Sequence, residues 1–266
     1  MLFDLHIHSD LSFDSDEKAE NYVAEAERLG LAVTGFSEHY DYDAYLDGAG
    51  IALADLDAYS EKIAGLRALY PEMKILQGIE FGYRKEALGK YSELNKSYPF
   101  DYVINSVHTL PKRGDCYFDG FFAEKTLKES YQDYFNAVLE SVKADLDYQI
   151  VGHIGYVSRY REGIGAKIVY KDFSEIIDSI LTEIIARDKC LEINASTGKA
   201  GGLSLPDGEI IKRYLSLGGE KLSFGSDAHA LRDYRKKSSE ASDFLRSVGV
   251  KYLFHYEQKR AVAYKI

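Results

Sequence analysis

Short apolar runs rich in β-branched and aromatic residues alternate with amphipathic stretches along nearly the whole chain, and no low-complexity linker separates them. This alternation limits the possible folds more than any other feature of the sequence. A strand followed by a helix, many times over, indicates an α/β protein with a parallel sheet, either closed into a barrel or open and doubly wound. We favour a barrel, and 266 residues are enough for a single domain of that kind, spanning 1–266.

The positions of the predicted elements follow from the same pattern. Strands are predicted at 3–8, 32–39, 74–81, 101–108, 148–154, 191–196 and 222–229. Helices are predicted at 56–70, from Phe173 onward, between Pro206 and Gly218, and at about 237–248. Asp172 and Glu175 give the helix from Phe173 a capping signal. The C-terminal residues 251–266 are predicted to form a final strand or hairpin that closes the seam of the barrel.

Charge and composition exclude several classes of partner. The formal net charge is −10, whereas a protein that neutralises many phosphates needs a basic face, so we expect a small substrate and no nucleic acid. No apolar stretch approaches the length of about eighteen residues that a membrane span needs, and the chain opens without a targeting signal, so we expect a cytoplasmic protein. Cys116 and Cys190 form no metal-binding pattern and are predicted to be structural.

Side chains that can bind metal ions fall at the ends of the predicted strands. The chain opens with FDLHIH, and because side chains alternate along a strand, His6 and His8 point the same way and their nitrogens can converge. The other strand ends carry Glu38, His39, Glu80, His108, His153, Asn194, Asp227 and His229. The carboxyl ends of barrel strands meet at one mouth, so every histidine except His255 is expected to lie there.

A metal centre explains this clustering better than packing does. A lone histidine at a strand end is more often a hydrogen-bonded filler than a ligand, and His255 is assigned to packing or the surface. Six imidazoles and several carboxylates at one mouth would instead leave polar groups without partners unless cations bound them. Imidazole and carboxylate donors without thiolates suit Zn, Mn or Fe(II). With the nearby Asp14 the donors are too many for one ion, so we predict two or three divalent ions.

In this order and spacing, the motifs HxH, SEH, GIE, SVH, GHI and GSDAH resemble those of the PHP phosphoesterases over nearly the whole chain. The chain length, the NAS after LEI and the arginine-bearing segment after GH are similar to those of the members that hydrolyse L-histidinol phosphate in histidine biosynthesis. The resemblance implies a distorted seven-stranded TIM-like barrel with a trinuclear metal centre at the carboxyl ends of the strands. It also implies a phosphatase that releases L-histidinol and phosphate.

The resemblance further implies which residues hold the ions. One ion would take His6, His8, Glu80 and Asp227, a second would share Glu80 and take His108 and His153, and a third would take Asp14, His39 and His229. Asp14 lies in the loop after the first strand, where Asp10 or Asp16 could take its place. Glu38 is not expected to be a ligand, and either orients an imidazole or is a solvated loop charge.

The chemistry expected at such a centre is phosphate ester hydrolysis. Catalysis of this reaction depends mainly on positioning and on stabilising charge, which the centre supplies. We expect a water bridging the first two ions, which Glu80 and Asp227 help to hold, to lose its proton, and the hydroxide to attack phosphorus in line. His229 or a metal-bound water would then protonate the departing alkoxide.

Several residues outside the ligand set are candidates for binding the substrate. Arg159 is the first candidate for the phosphate, followed by Arg161 and by Lys199, which stands where relatives tend to have arginine and would bind as a point charge. Asn194 is a further candidate. Histidinol carries an ammonium and an imidazole, which suit the acidic and aromatic residues of YDYDAYLDG and of the loop that contains Asp115, Tyr117 and Phe118.

Three alternatives stay open. Another PHP enzyme, a phosphodiesterase or an exonuclease, would use the same metals but have a different active-site opening. The negative net charge argues against binding DNA. A non-catalytic module would keep the metal sites only to stabilise its fold. An amidohydrolase also has HxH on the first strand of a barrel, but it usually needs a bridging lysine, and Glu80 stands in that place.

Overall fold

The computed structural model describes residues 3–42, 44, 53–163 and 165–266. Its strands, in chain order, are Val33–Tyr40 (β1), Lys74–Gly82 (β2), Tyr102–Ser106 (β3), Thr109–Leu110 (β4), Gly114–Asp115 (β5), Ile150–Val151 (β6), Cys190–Asn194 (β7), Leu222–Gly225 (β8), Tyr252–Glu257 (β9) and Arg260–Lys265 (β10). A parallel sheet runs in the order β1, β2, β3, β6, β7, β8. Two antiparallel pairs, β4 with β5 and β9 with β10, stand apart from it.

The helices of the described residues alternate with these strands, the first of them preceding β1, as predicted for an α/β fold. They are Ala19–Arg28 (α1), Leu56–Leu69 (α2), Leu88–Ser97 (α3), Leu127–Lys143 (α4), Ser174–Ala186 (α5), Gly208–Ser216 (α6) and Ser238–Ser247 (α7). The capping signal predicted for α5 is wrong. Asp172 belongs to a short 3-10 turn, and Phe173, which precedes the helix, makes no side-chain cap. None of the helices described is long and apolar enough to span a membrane.

The segment from Asp4 to His8 lies between the two edge strands of the parallel sheet. On one side the Leu5 amide donates to the carbonyl of Phe224 in β8 at 3.1 Å, and on the other the Gly35 amide in β1 donates to the carbonyl of Asp4 at 2.8 Å. The sheet is therefore curled, so that its two edges flank the same segment.

This segment was predicted as a strand, but it pairs irregularly. Only Ile7 forms a β-bridge, with Ala228. The buried Asp4 carboxylate accepts the backbone amides of His6 at 3.2 Å and Ser226 at 2.9 Å, so a side chain takes the place of regular ladder partners. The sheet thus has six regular strands, and the strand count of seven stays a prediction.

The C-terminal hairpin β9–β10 forms as predicted, but it does not close the sheet. The Lys259 amide donates to the carbonyl of Asp101, which precedes β3, and Glu257 pairs with Lys74 at the start of β2. The hairpin therefore packs at the amino-terminal edge of the sheet. The expectation of a closing element was wrong because residues 4–8 already occupy the gap between the edge strands.

Tyr102 shows how closely the interior of the curled sheet is packed. Its hydroxyl lies 2.6 Å from the carbonyl oxygen of Leu5 and 2.9 Å from that of Phe36. A Cβ on Gly78 would lie 2.2 Å from its ring, and one on Gly35 would lie 2.6 Å from its hydroxyl. Glycine at these two positions leaves the space that the tyrosine fills, and the tyrosine ties the N-terminal segment to β1.

Candidate metal centre

The parallel sheet brings the predicted ligands to one edge. His39 and Glu80 are register partners near the carboxyl ends of β1 and β2. Three further residues each follow shortly after the end of a strand: His108 after β3, His153 after β6 and Asp227 after β8. Because parallel strands point the same way, the residues that follow them gather at one edge although they are far apart in the sequence.

Glu80 lies at the centre of this cluster. Its Oε2 is 3.1 Å from Nε2 of His6 and 3.6 Å from Nε2 of His8. Its Oε1 is 2.9 Å from Nε2 of His153 and 3.3 Å from Nε2 of His108. The side chain is fully buried, so a single carboxylate faces both groups of imidazoles that the resemblance assigns to the first two ions.

Asp227 adds a second carboxylate on the side of the N-terminal segment. Its Oδ1 lies 3.5 Å from Nε2 of His8 and 3.8 Å from Nε2 of His6. Its Oδ2 accepts a hydrogen bond from Nη2 of Arg159 at 2.5 Å and one from the Asn194 side-chain amide at 3.2 Å. Asp227 has a φ of +55°, a left-handed conformation that is uncommon outside glycine and that often marks functional sites.

Asp14 is the aspartate of the first loop that contacts the cluster. Its Oδ2 lies 2.9 Å from Nε2 of His229 and 3.6 Å from Nε2 of His39. Asp10 pairs instead with Lys18 on the surface. The structure therefore brings together the three residues that the resemblance assigns to a third ion.

Two buried carboxylates of the site were missed in the sequence. Oε1 of Glu192 lies 2.5 Å from Nδ1 of His6, and Asp41 lies within 3.3 Å of Nδ1 of both His39 and His108. Alternation along a strand, which places His6 and His8 on one face, also predicts that Glu192 shares a face with Asn194 and that Asp41 shares a face with His39.

Glu38 acts on the loop after the N-terminal segment. It accepts the Ser9 hydroxyl and the Ser12 hydroxyl, each at 2.6 Å. The Ser12 oxygen in turn lies 3.3 Å from Nδ1 of His8. Of the two roles considered for Glu38, the contacts favour orientation of an imidazole over that of a solvated loop charge.

The carboxylates of the cluster favour positive charge around them. Burial raises the pKa of Glu80, but His6, His39 and His108 outweigh this and hold the pKa well below its ordinary value. Burial lowers the pKa of His6, but Glu192 and Glu80 outweigh this and raise it well above its ordinary range. Burial, together with His39 and His229, lowers the pKa of His8 to about 3, so this imidazole is neutral at pH 7, as a metal ligand must be.

The residues present fit divalent metal ions. Several buried side-chain atoms of the cluster have no hydrogen-bond partner of good geometry, among them Nε2 of His6, Nε2 of His8 and Oε2 of Glu80. Triplets of ligand atoms within 4.8 Å of one another occur in His6–His8–Glu80, His6–His153–Asp227, His39–Glu80–His108 and His8–His39–His229. Nitrogen and oxygen atoms that converge in this way are suitable ligands for Zn, Mn or Fe(II), and a bound ion would give the buried polar atoms a partner.

The predicted substrate-binding residues separate into two groups. Arg159 and Asn194 are buried against Asp227, as described above. Arg161 pairs with Asp119 and lies over the ring of Phe122, and Lys199 pairs with Glu162, so their ion pairs are made away from the cluster carboxylates.

Tyr117 belongs to a row of aromatic side chains that starts at the cluster. The residue is 53% exposed, and its ring centroid lies 4.7 Å from that of Tyr160. The centroid of Tyr160 lies 5.8 Å from that of Tyr156, which lies 5.1 Å from that of His108. The row therefore leads from the cluster to an exposed side chain. Asp115, which accepts the Tyr156 hydroxyl at 3.1 Å, lies beside it.

Fold and site together define an α/β protein that gathers histidines and carboxylates at the carboxyl edge of a curled parallel sheet. The family model for the PHP domain matches residues 4–196, and the chain belongs to that family. The chain is 32% identical to the histidinol-phosphatase of Lactococcus lactis over 87% of this chain and 86% of that protein. It is 31% identical to a Clostridium acetobutylicum protein named "Probable histidinol-phosphatase", over 86% of this chain and 87% of that protein.

Solved structures show the same fold. The crystal structure of a histidinol phosphate phosphatase from Lactococcus lactis, in complex with zinc, L-histidinol and phosphate, aligns with a TM-score of 0.86 and 27% identity over 98% of both chains. A structure from Listeria monocytogenes aligns with a TM-score of 0.78 at 19% identity, over 90% of this chain and 99% of that chain, and supports the fold alone.

Proposed function

We propose that this protein is a metal-dependent phosphomonoesterase that hydrolyses L-histidinol phosphate to L-histidinol and phosphate, the reaction of histidine biosynthesis. The observation that carries the proposal is the gathering of six histidines around Glu80, Asp227 and Asp14. The histidinol-phosphatases that match most of the chain at 31% and 32% identity support the substrate. So does the related structure that holds zinc, L-histidinol and phosphate.

We infer that the cluster holds two or three divalent ions, with zinc as the first candidate and Mn or Fe as alternatives. The residues that would hold them are His6, His8, Glu80 and Asp227; Glu80, His108 and His153; and Asp14, His39 and His229. When bound, such ions supply positive charge for the phosphoryl oxygens and lower the pKa of water from 15.7 to about 7. Glu80 faces two of these groups and is suited to bridging them.

The finer features of the fold belong to the same proposal. Residues 4–8 would serve as the seventh strand of a distorted barrel, because they hydrogen-bond to both edge strands of the sheet. Residues 1–266 would form one domain, because Asp227 and His229 lie beyond the 4–196 match and yet contact His8, Asp14 and His39.

Arg159 is suited to hold the phosphate next to the cluster. Asp227 and Asn194 both contact its Nη2, which fixes the direction of the planar guanidinium. The side chain is 6% exposed, so little water competes for its remaining N–H groups. Arg161 and Lys199 stay candidates for contacting the phosphate once substrate has bound, since in this structure both pair with other carboxylates.

His229, when no third ion occupies it, or a metal-bound water would protonate the departing alkoxide. The side chain of His229 is 31% exposed, whereas that of His39 is 9% exposed and that of His6 is fully buried. A substrate at the mouth can therefore reach its ring. Tyr117 would contact the imidazole of the leaving alcohol, because it is an exposed member of the aromatic row that starts at the cluster.

The test is a phosphate-release assay on metal-replete protein with a panel of phosphate esters, together with metal stoichiometry. We expect preference for histidinol phosphate, two or three ions per chain, and loss of turnover on chelation. Asp227→Asn should abolish turnover while the circular dichroism spectrum is kept. His255→Gln, which changes a histidine outside the cluster, should keep full activity. Preference for oligonucleotides, or a protein without metal, would overturn the proposal.

A further inference from the structure

Asp41 joins two histidines that belong to different groups of the proposed metal centre. Its Oδ2 lies 3.1 Å from Nδ1 of His39, and its Oδ1 lies 3.3 Å from Nδ1 of His108. The carboxylate is 5% exposed and follows β1 directly. One buried carboxylate thus faces the same ring nitrogen of two imidazoles.

The other nitrogens of these two rings face different partners. Nε2 of His39 lies 3.6 Å from Oδ2 of Asp14. Nε2 of His108 lies 3.3 Å from Oε1 of Glu80 and 3.3 Å from Nε2 of His153. Each ring therefore has one nitrogen toward Asp41 and one toward the ligand atoms of a separate ion.

A neutral imidazole carries a single N–H, so the nitrogen that donates a hydrogen bond determines which nitrogen is free to bind a metal ion. We propose that Asp41 is a positioning residue that accepts Nδ1–H from both His39 and His108, and so turns Nε2 of each ring toward its ion. This inference rests on the proposed metal centre. It adds a carboxylate that couples the positions of two ligands of two different ions.

One other carboxylate lies near the same nitrogen of His39. Oε2 of Glu80 is 3.2 Å from Nδ1 of His39, so the opposite tautomer would let that nitrogen bind an ion beside Glu80. Asp41 is the better acceptor, because Glu80 is the shared ligand of two groups and its lone pairs face His6, His8, His108 and His153. The two tautomers differ in which nitrogen carries hydrogen, which is measurable.

Glu192 provides an internal comparison. Its Oε1 lies 2.5 Å from Nδ1 of His6, a ligand of the first ion only. Its Oε2 accepts the backbone amide of His153 at 2.6 Å. Glu192 therefore orients one imidazole, whereas Asp41 orients two, and the two carboxylates can be removed separately.

The experiment uses the full-length, zinc-loaded protein labelled with ¹⁵N, with imidazole N–H signals assigned by NMR spectroscopy. We expect Nδ1–H signals from His6, His39 and His108. Asp41→Asn keeps one acceptor oxygen, so it should remove at least one of the His39 and His108 signals and leave that of His6. Glu192→Gln should affect the His6 signal and leave the other two. In competition with a zinc chelator, Asp41→Asn should weaken zinc binding by about 10- to 100-fold at two of the proposed sites.

The possible failures are distinguishable. If wild-type protein binds zinc but His39 and His108 carry hydrogen on Nε2, the role of Asp41 is wrong and the metal centre stands. Signals of His39 and His108 that persist unchanged in Asp41→Asn lead to the same conclusion. If the wild-type protein binds no zinc, manganese or iron, the proposed function itself fails.

Discussion

Arg159 and Asp227 form a buried ion pair in which Nη2 of the arginine lies 2.5 Å from Oδ2 of the aspartate. The other oxygen of Asp227 faces His6 and His8. Burial raises the pKa of Asp227, but Arg159 and then His6 outweigh this and hold it well below its ordinary value, so the carboxylate stays ionised. One aspartate therefore connects the proposed phosphate-binding residue to the proposed metal ligands.

The first prediction concerns the geometry of this pair. Arg159→Lys keeps the charge but loses the planar guanidinium, whose Nη2 contacts both Asp227 and Asn194 and whose other N–H groups are held in a fixed direction. We expect kcat/KM for histidinol phosphate to fall by about 10²-fold, the usual effect of removing one preorganised donor. Arg213→Lys changes an arginine that pairs with Asp178 away from the cluster, and should leave kcat/KM unchanged. Equal effects of the two substitutions would exclude a specific role for Arg159.

The second prediction concerns the attachment of the N-terminal segment. Tyr102→Phe removes a buried hydroxyl and leaves the carbonyl oxygens of Leu5 and Phe36 without this donor. We expect the free energy of unfolding in urea to fall by about 1–3 kcal/mol. Tyr98→Phe makes the same change where the hydroxyl meets Asp57 on the surface, and should alter stability by less than about 0.5 kcal/mol. A Tyr102→Phe protein as stable as wild type would contradict the proposed tie.

Much of the sheet and of the site was predictable because alternation along strands and parallel strand direction are local rules. They place His39 and Glu80 at one edge without knowledge of the tertiary structure. The same rules could have identified Asp41 and Glu192, which share a face with His39 and Asn194. They could not say which imidazole each carboxylate contacts, because that depends on neighbouring strands.

Other features depend on tertiary contacts that no local pattern encodes. Arg159 and Arg161 are two positions apart, as on one face of a strand, yet they follow a 3-10 turn, Tyr156–Ser158, where alternation does not apply. They therefore diverge, one toward Asp227 and the other toward Asp119. The irregular pairing of the N-terminal segment follows from the Asp4 carboxylate, which accepts the amide of His6 in the same segment and the amide of the distant Ser226.

The third prediction uses the one histidine outside the cluster. His255 is buried, contacts Phe3 edge-on, and has Nε2 2.9 Å from Glu257. Burial lowers the pKa of His255 below its ordinary value, although Glu257 acts in the opposite direction. Protonation is therefore harder in the folded than in the unfolded protein. The stability that this residue contributes is full above pH of about 6.5 and declines as the pH falls toward the folded-state pKa.

Urea unfolding at a series of pH values, with wild-type protein and His255→Phe, measures this contribution. Phenylalanine keeps a ring against Phe3 but cannot titrate. We expect the advantage of wild type over the variant to decrease as the pH falls from 8 to 5. Taking the difference between the two proteins removes the titration of the proposed metal ligands. A difference that is independent of pH would show that His255 titrates alike in both states.

The last prediction concerns a cavity of about 350 Å³ beside Asp227 and His229, which the segment 196–202 helps to line. Nζ of Lys237 donates to the Thr197 hydroxyl at 2.6 Å and to the carbonyl of Gly202 at 2.7 Å. The same segment contacts the main chain of Arg159, because the Lys199 amide donates to the carbonyl of Arg159 at 2.8 Å. Lys237 thus holds the wall of the cavity next to the proposed phosphate-binding residue.

Lys237→Met should loosen this wall and raise KM for histidinol phosphate by about tenfold, since losing a charge-assisted hydrogen bond costs about 1.5–3 kcal/mol. We expect a smaller change in kcat, because Lys237 lies beyond the cluster. Lys236 lines the same cavity but pairs with Asp233, so Lys236→Met removes an equal charge without releasing the wall. If both variants raise KM equally, the positive charge in the cavity accounts for the effect, and the hydrogen bonds to Thr197 and Gly202 do not.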